Sequence, residues 1–146
     1  LSSMSPTFVE SDAGVVILGT PGGSRIISMV LHGILAATAG DGSAAQWVAA
    51  PRYHHQFLPD EVLMEPDALA PGVRSDLRGR GHALRAAERP YGNMHLVHWD
   101  RHTNRVDAAS DPRGIGAARV IDPAAVSGAA VMPPPQPQTQ PLRATP

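Results

Sequence analysis

No cysteine occurs among the 146 residues, which excludes disulfides, thiolate catalysis and cysteine-ligated zinc. That absence fits any redox compartment. A surplus of one sign of charge is also missing: the formal charge is −1, and no long basic run is present. Electrostatic attraction to nucleic acid or to anionic lipid is therefore not indicated. Long hydrophobic runs are lacking as well. The longest, Ile26 to Ala39, is interrupted by His32 and is too short to span a bilayer. Leu1 is not an initiator methionine, and no signal-peptide pattern precedes the globular sequence. The chain reads as a processed product or a fragment, long enough for one domain or a large part of one.

What is present is organised around Val15 to Leu35, VVILGTPGGSRIISMVLHGIL. Val15 to Leu18 suit a strand buried on both faces. Pro21, Gly22 and Gly23 stop it. Ser24 is a candidate N-cap for the helix that follows. Ile26, Ile27, Val30, Leu31, Ile34 and Leu35 recur at three- and four-residue spacing, which predicts one wide apolar helix face. The order is strand, glycine turn, helix start. Adjacent glycines let backbone N–H groups approach a ligand with no Cβ between. A helix N-terminus behind them adds unpaired donors and partial positive charge. Such a turn can hold a carboxylate, a phosphate or a developing oxyanion. It can equally be a plain connection, since two glycines are far less specific than a full phosphate-loop signature.

Around this stretch, Thr7 to Glu10 read as a short strand, turned by Ser11 to Gly14 into the next. Gly40 is the expected helix stop, and Asp41 or Ser43 can cap a second helix that Pro51 closes. Val62 to Glu65, Ala83 to Ala86, Met94 to Trp99 and Arg105 to Ala109 read as strands. Pro71-Gly72 opens a helix that Gly81 ends. From Asp122 onward alanine, proline and glutamine dominate. Such a segment cannot bury enough apolar surface to offset its ordering entropy, so residues 122–146 read as a mobile, partly polyproline tail behind a domain of residues 1–121.

Several residues are candidates for chemistry. Ser2 and Ser3 are paired hydroxyls able to hold a carboxylate, or simply solvated loop residues. His95, His98 and His102 have helical spacing, but their context is that of a strand, on which His95 and His98 point to opposite faces. His54 and His55 diverge in the same way, and no HExxH arrangement exists. No metal and no cofactor is expected. Asp60-Glu61 and Asp111-Arg113 fit acid–base or substrate roles, yet such groups more often hold turns. Arg52 is expected to pair with an acid inside the domain.

Five segments then occur in a telling order: LSSMSPT from Leu1, GTPGGSRII from Gly19, APRYHHQFLPDEV from Ala50, GH at Gly81-His82 and ASDPRG from Ala109. Together they resemble the C-terminal part of the small subunit of γ-glutamyltransferases (γ-glutamyltranspeptidases), over roughly Leu1 to Arg119. The Pro/Gln tail has no counterpart in that resemblance.

The resemblance implies an α+β fold, part of an N-terminal-nucleophile hydrolase αββα sandwich. It implies a precursor that cleaves itself into large and small subunits, whose new N-terminal threonine attacks the γ-glutamyl amide of glutathione or a related compound. Water or an amino acid then takes the γ-glutamyl group. The serines of the family's LSSM motif, which bind the γ-glutamyl α-carboxylate, fall on Ser2 and Ser3. The oxyanion-hole glycines fall on Gly22 and Gly23. The family nucleophile lies upstream of LSSM, so this chain is expected to be inactive alone, within a parent protein that is an enzyme. Its implied partners are the remainder of the small subunit, the large subunit, and γ-glutamyl compounds. Family members are commonly exported to the periplasm or beyond the cell; the compartment is not legible in these residues. Two other readings stand beside this one: a cephalosporin-acylase-like amidase fragment, and a non-enzymatic binding or scaffold protein.

Overall fold

The computed structural model describes residues 4–39 and 42–121. In chain order the elements are strands β1 (Thr7–Glu10) and β2 (Gly14–Gly19), a 3-10 turn (Gly23–Arg25), helices α1 (Ile26–Thr38) and α2 (Ala44–Ala49), strands β3 (Tyr53–His55) and β4 (Val62–Met64), helix α3 (Pro71–Gly79), and strands β5 (Leu84–Ala86), β6 (His95–Asp100) and β7 (Arg105–Ser110). The architecture is α+β. A four-stranded antiparallel sheet runs β1-β2-β6-β7, and a small sheet runs β3-β4-β5 with its last pair parallel. The expected Pro/Gln tail lies outside the described residues, as do Ser2, Ser3, Gly40 and Asp41.

Alternation along the strands sorts the large sheet into two faces. Val16 and Leu18 of β2, Leu96 of β6 and Ala109 of β7 are buried beneath Met29 and Val30 of α1 and Trp47 and Val48 of α2. The opposite face is also apolar but bare among the described residues. Phe8, Ile17 and Val97 form one cross-strand row, and Val15, Trp99 and Val106 the next. Phe8 is 69% exposed and Val106 44%. The expectation that Val15 to Leu18 are buried on both faces is thus corrected. The apolar pattern is two-sided, but helices cover one side only.

Helix α1 shows the same one-sidedness. Ile26, Met29, Val30 and Gly33 are buried against the sheet, whereas Ile27, Leu31 and Leu35, members of the expected wide apolar face, are exposed. An apolar residue almost all round a helix leaves the pattern unable to choose which side meets the core. Ser24 does not cap α1. It lies inside the 3-10 turn, and the N-cap is Arg25, with no side-chain cap. Ser43 does cap α2, through a reciprocal capping box with Gln46. Strand β3 carries no periodic signal over its three residues and forms because β4 offers it a partner.

Candidate functional site

The glycine turn joins β2 to α1, and its three peptide planes are each held by a carbonyl. The Pro21 carbonyl accepts from the Thr20 hydroxyl at 2.9 Å. The Gly22 carbonyl accepts from Arg25 N–H at 3.2 Å, and the Gly23 carbonyl accepts from Ile26 N–H. A trans peptide carries its N–H antiparallel to its C=O. The N–H groups of Gly22, Gly23 and Ser24 therefore face away from those contacts. Among the described residues none of the three has an acceptor, and all three residues are exposed. The two glycines are needed for different reasons. A Cβ on Gly22 would lie 2.3 Å from Met29 Cε, a side chain that is fully buried. A Cβ on Gly23 would meet nothing within 4 Å, but its φ of +60° is left-handed and disfavours any side chain.

The chain that follows Ser3 reaches this turn. Thr20 N–H donates to the Met4 carbonyl at 3.2 Å, so the LSSM segment is anchored two residues before Gly22. Thr20 is completely buried, and its hydroxyl oxygen also accepts from Asn93 N–H at 3.2 Å. Ser2 and Ser3 themselves lie outside the described residues.

Behind the turn, Ser28 of α1 meets β3. Its Oγ lies 2.6 Å from His54 Nδ1 and 3.2 Å from the Arg25 carbonyl. His54 Nε2 lies 2.9 Å from Gln56 Oε1. A cavity of about 80 Å³ adjoins, lined by Ser24, Arg25, His54, Gln56, Glu61 and Arg85 among others. His32, one turn along α1 from Ser28, stacks on Tyr53 at 4.3 Å. Burial, and the nearby Arg52 and His54, hold its imidazole below the usual histidine range.

The remaining candidates are structural. Arg52 does find its acid: Nη2 lies 2.5 Å from Asp111 Oδ2, with both side chains nearly inaccessible. Its guanidinium also donates to the Tyr91 and Val48 carbonyls. Asp111 Oδ1 accepts from Arg113 N–H at 2.9 Å and holds the turn. Arg113 spans to Glu65 at 2.7 Å and to the α2 C-terminal carbonyls of Val48, Ala49 and Ala50. Burial alone would raise the Asp111 carboxyl, but N–H bonds from Met94 and Arg113, and Arg52, outweigh it and hold it below the carboxylate range. Arg113 is likewise pushed up, because Glu65 and Asp111 outweigh its burial. Asp60 pairs with His55 at the surface, and Glu61 with Arg85. His54 is buried and His55 exposed, as strand alternation requires. His98 packs edge-on against Trp47 under α2. His95 lies on the bare face beside Gly116. Among the described residues no group of three or more histidine or acidic side chains is placed to hold a metal ion.

Sequence reasoning missed Ser28, Gln56, Thr20 and Glu65. The signal for Gln56 was available, since i and i+2 on a strand share a face with His54. Nothing local marks Ser28, which lies 26 residues from its partner.

The family model for gamma-glutamyltranspeptidase matches residues 1–121. The chain is 35% identical over 127 residues to the glutathione hydrolase proenzyme of Pseudomonas aeruginosa, covering 84% of this chain and 22% of that protein. It is 34% identical over 116 residues to the glutathione hydrolase proenzyme of Escherichia coli, covering 79% and 20%. The chain thus spans about a fifth of the length of these relatives. Among solved structures, gamma-glutamyltranspeptidase from Pseudomonas nitroreducens complexed with L-DON superposes with a TM-score of 0.69 at 34% identity, over 84% of this chain and 64% of that one. A mutant of the Helicobacter pylori gamma-glutamyltranspeptidase gives 0.68 at 32%, over 78% and 62%. A family model spanning most of the chain, relatives above 30% identity and a shared fold agree: this chain belongs to the gamma-glutamyltranspeptidase family.

Proposed function

We propose that these residues form the acyl-binding part of an enzyme that cleaves γ-glutamyl amides, such as glutathione, and passes the γ-glutamyl group to water or to an amino acid. The observation that carries this reading is the glycine turn, whose three N–H groups have no acceptor among the described residues. In acyl transfer the amide oxygen becomes an oxyanion, and preorganised N–H donors stabilise it more than they stabilise the ground-state carbonyl. Gly22 and Gly23 are the proposed oxyanion hole. Ser2 and Ser3 are the proposed clamp for the substrate α-carboxylate, on a segment that Met4 ties to Thr20. The attacking threonine belongs, in this proposal, to another part of the longer protein, and no cofactor takes part. The bare apolar face of Phe8, Ile17, Val97 and Trp99 suits the second sheet of the sandwich, supplied by the rest of the small subunit and the large subunit. Residues 1–121 are the proposed domain part and 122–146 an appended tail.

The clamp is tested in the processed, family-length enzyme. A carboxylate is charged in ground and transition states alike, so losing its clamp removes uniform binding. Ser2→Ala combined with Ser3→Ala should raise KM for a γ-glutamyl anilide far more than it lowers kcat. An unchanged KM would refute the clamp.

A further inference from the structure

We infer that His54, acting through Ser28, is a positioning residue for the N–H donors of the glycine turn, an inference that rests on the oxyanion reading of that turn. The hydrogen-bond partners form a continuous chain. Gln56 donates its Nε2 group to the Leu58 carbonyl at 2.5 Å, so its Oε1 is the atom that faces the imidazole. His54 Nε2 therefore carries a proton and donates to Gln56 at 2.9 Å. His54 Nδ1 lies 2.6 Å from Ser28 Oγ, and the Ser28 hydroxyl donates to the Arg25 carbonyl at 3.2 Å. This is a hydrogen-bonded relay from the Leu58 carbonyl through Gln56 and His54 to Ser28 and the Arg25 carbonyl. His54 is 8% exposed, so water competes little for either bond.

The relay ends where the turn is aimed. Ser28 is the third residue of α1. The N–H groups of Arg25 and Ile26, just before it, hold the Gly22 and Gly23 carbonyls. Peptide planarity converts the direction of those two carbonyls into the direction of the Gly23 and Ser24 N–H groups. Any slack in the first turn of α1 becomes slack in the donors. Helix α1 has no side-chain cap and Ile27 is 80% exposed, so the Ser28–His54 pair adds a polar tie to the apolar burial of Ile26 and to the contact of Arg25 over the Tyr91 ring at 4.8 Å. The Ser28–His54 bond joins that first turn to β3, which pairs with β4 in the small sheet. The charged groups near the ring are His32 on α1, Arg25 at the turn, Arg52 ahead of β3, and Glu61 and Arg85 around the cavity. None of them is hydrogen-bonded to it.

The test uses the processed, family-length enzyme, with processed protein assayed separately. Single-turnover acylation and KM are measured on a γ-glutamyl anilide for Ser28→Ala, Ser28→Thr, His54→Gln and Gly23→Val. Ser28→Ala and His54→Gln should each slow acylation about three- to tenfold, the worth of one hydrogen bond, with KM within about twofold. Ser28→Thr keeps a hydroxyl and should stay near the parent rate. The Ser28→Ala, His54→Gln double variant should be no slower than the worse single, since both break one bond. Parental acylation in Ser28→Ala, with Gly23→Val slow, overturns this inference and leaves the oxyanion reading standing. Parental acylation in Gly23→Val overturns that reading itself. A loss that persists in Ser28→Thr, or that falls equally on KM, assigns the pair to folding alone and overturns the inference. Nitrogen NMR of labelled histidine gives a readout independent of activity: a His54 protonated on Nε2 is expected, and an unprotonated Nε2 overturns the relay.

Discussion

The charge cluster around Asp111 and the glycine turn at 22–23 use their polar groups in opposite ways. In the cluster, Arg52, Glu65 and Asp111 are almost inaccessible and Arg113 is half-buried. Two guanidinium groups face two carboxylates, and backbone N–H and C=O groups take the remaining directions. In the turn the carbonyls are engaged and, among the described residues, the N–H groups are not. A buried charge without partners is destabilising by several kcal/mol, so the cluster is closed on itself and has nothing to offer a substrate. The turn is exposed, so its donors can stay open at little cost until a ligand arrives. Charged residues with perturbed titration mark the structural half here, and neutral glycines mark the half proposed for chemistry.

The sharpest way to break this contrast is to open the closed half. Asp111→Ala leaves Arg52 buried opposite no carboxylate and should lower unfolding stability by about 3–5 kcal/mol, read by denaturant titration. The pH dependence follows from the direction of the shift. A carboxyl held below its usual range contributes stability that is complete above that range and is lost as pH falls through the depressed value. Asp111→Asn should therefore flatten part of the acid limb of stability. An unchanged acid limb would show that the cluster is not what acid breaks.

Closing the open half should do the reverse. Gly23→Val, in the family-length enzyme, forces a β-branched residue into the left-handed region and should turn the donors. Losing one oxyanion donor typically costs about 10²–10³ in kcat, or roughly 3–4 kcal/mol, with KM changing far less. Its folding cost should be smaller, about 1–2 kcal/mol, because a side chain there meets nothing within 4 Å. A folded, processed Gly23→Val enzyme within about threefold of the parent would reduce the turn to a connection.

The smallest effect serves as a control. Ser43→Ala removes the capping box of α2 and should lower stability by about 1 kcal/mol without touching acylation. A larger loss would show that the α2 C-terminus transmits strain to Arg113, which binds its carbonyls.

Much of the backbone was legible. β1 runs over the four residues expected of it, and the Ser11–Gly14 turn closes the first hairpin. β6 and β7 fall within a residue or two of the alternating segments. Ser43, one of two proposed caps, is the one used. Ser24 failed as a cap because a 3-10 turn intervened. Ile27, Leu31 and Leu35 belong to the apolar helix face but are exposed, because periodicity counts apolar residues and cannot see what covers them. The glycine turn was visible as a motif, while the direction of its N–H groups was not.

By itself, the sequence determined the order of elements, the turn residues, the absence of thiol chemistry and, through its segments, the family. These rest on a few consecutive residues, where φ/ψ preference, capping and strand alternation act within one or two turns of chain. Tertiary structure decided which side of α1 and of the large sheet is buried, which acid Arg52 meets, and that Ser28 faces His54. Those contacts join residues 26 to 59 positions apart. No local preference encodes them, because a side chain chooses its partner only after packing has excluded water and left one unsatisfied group within reach of another.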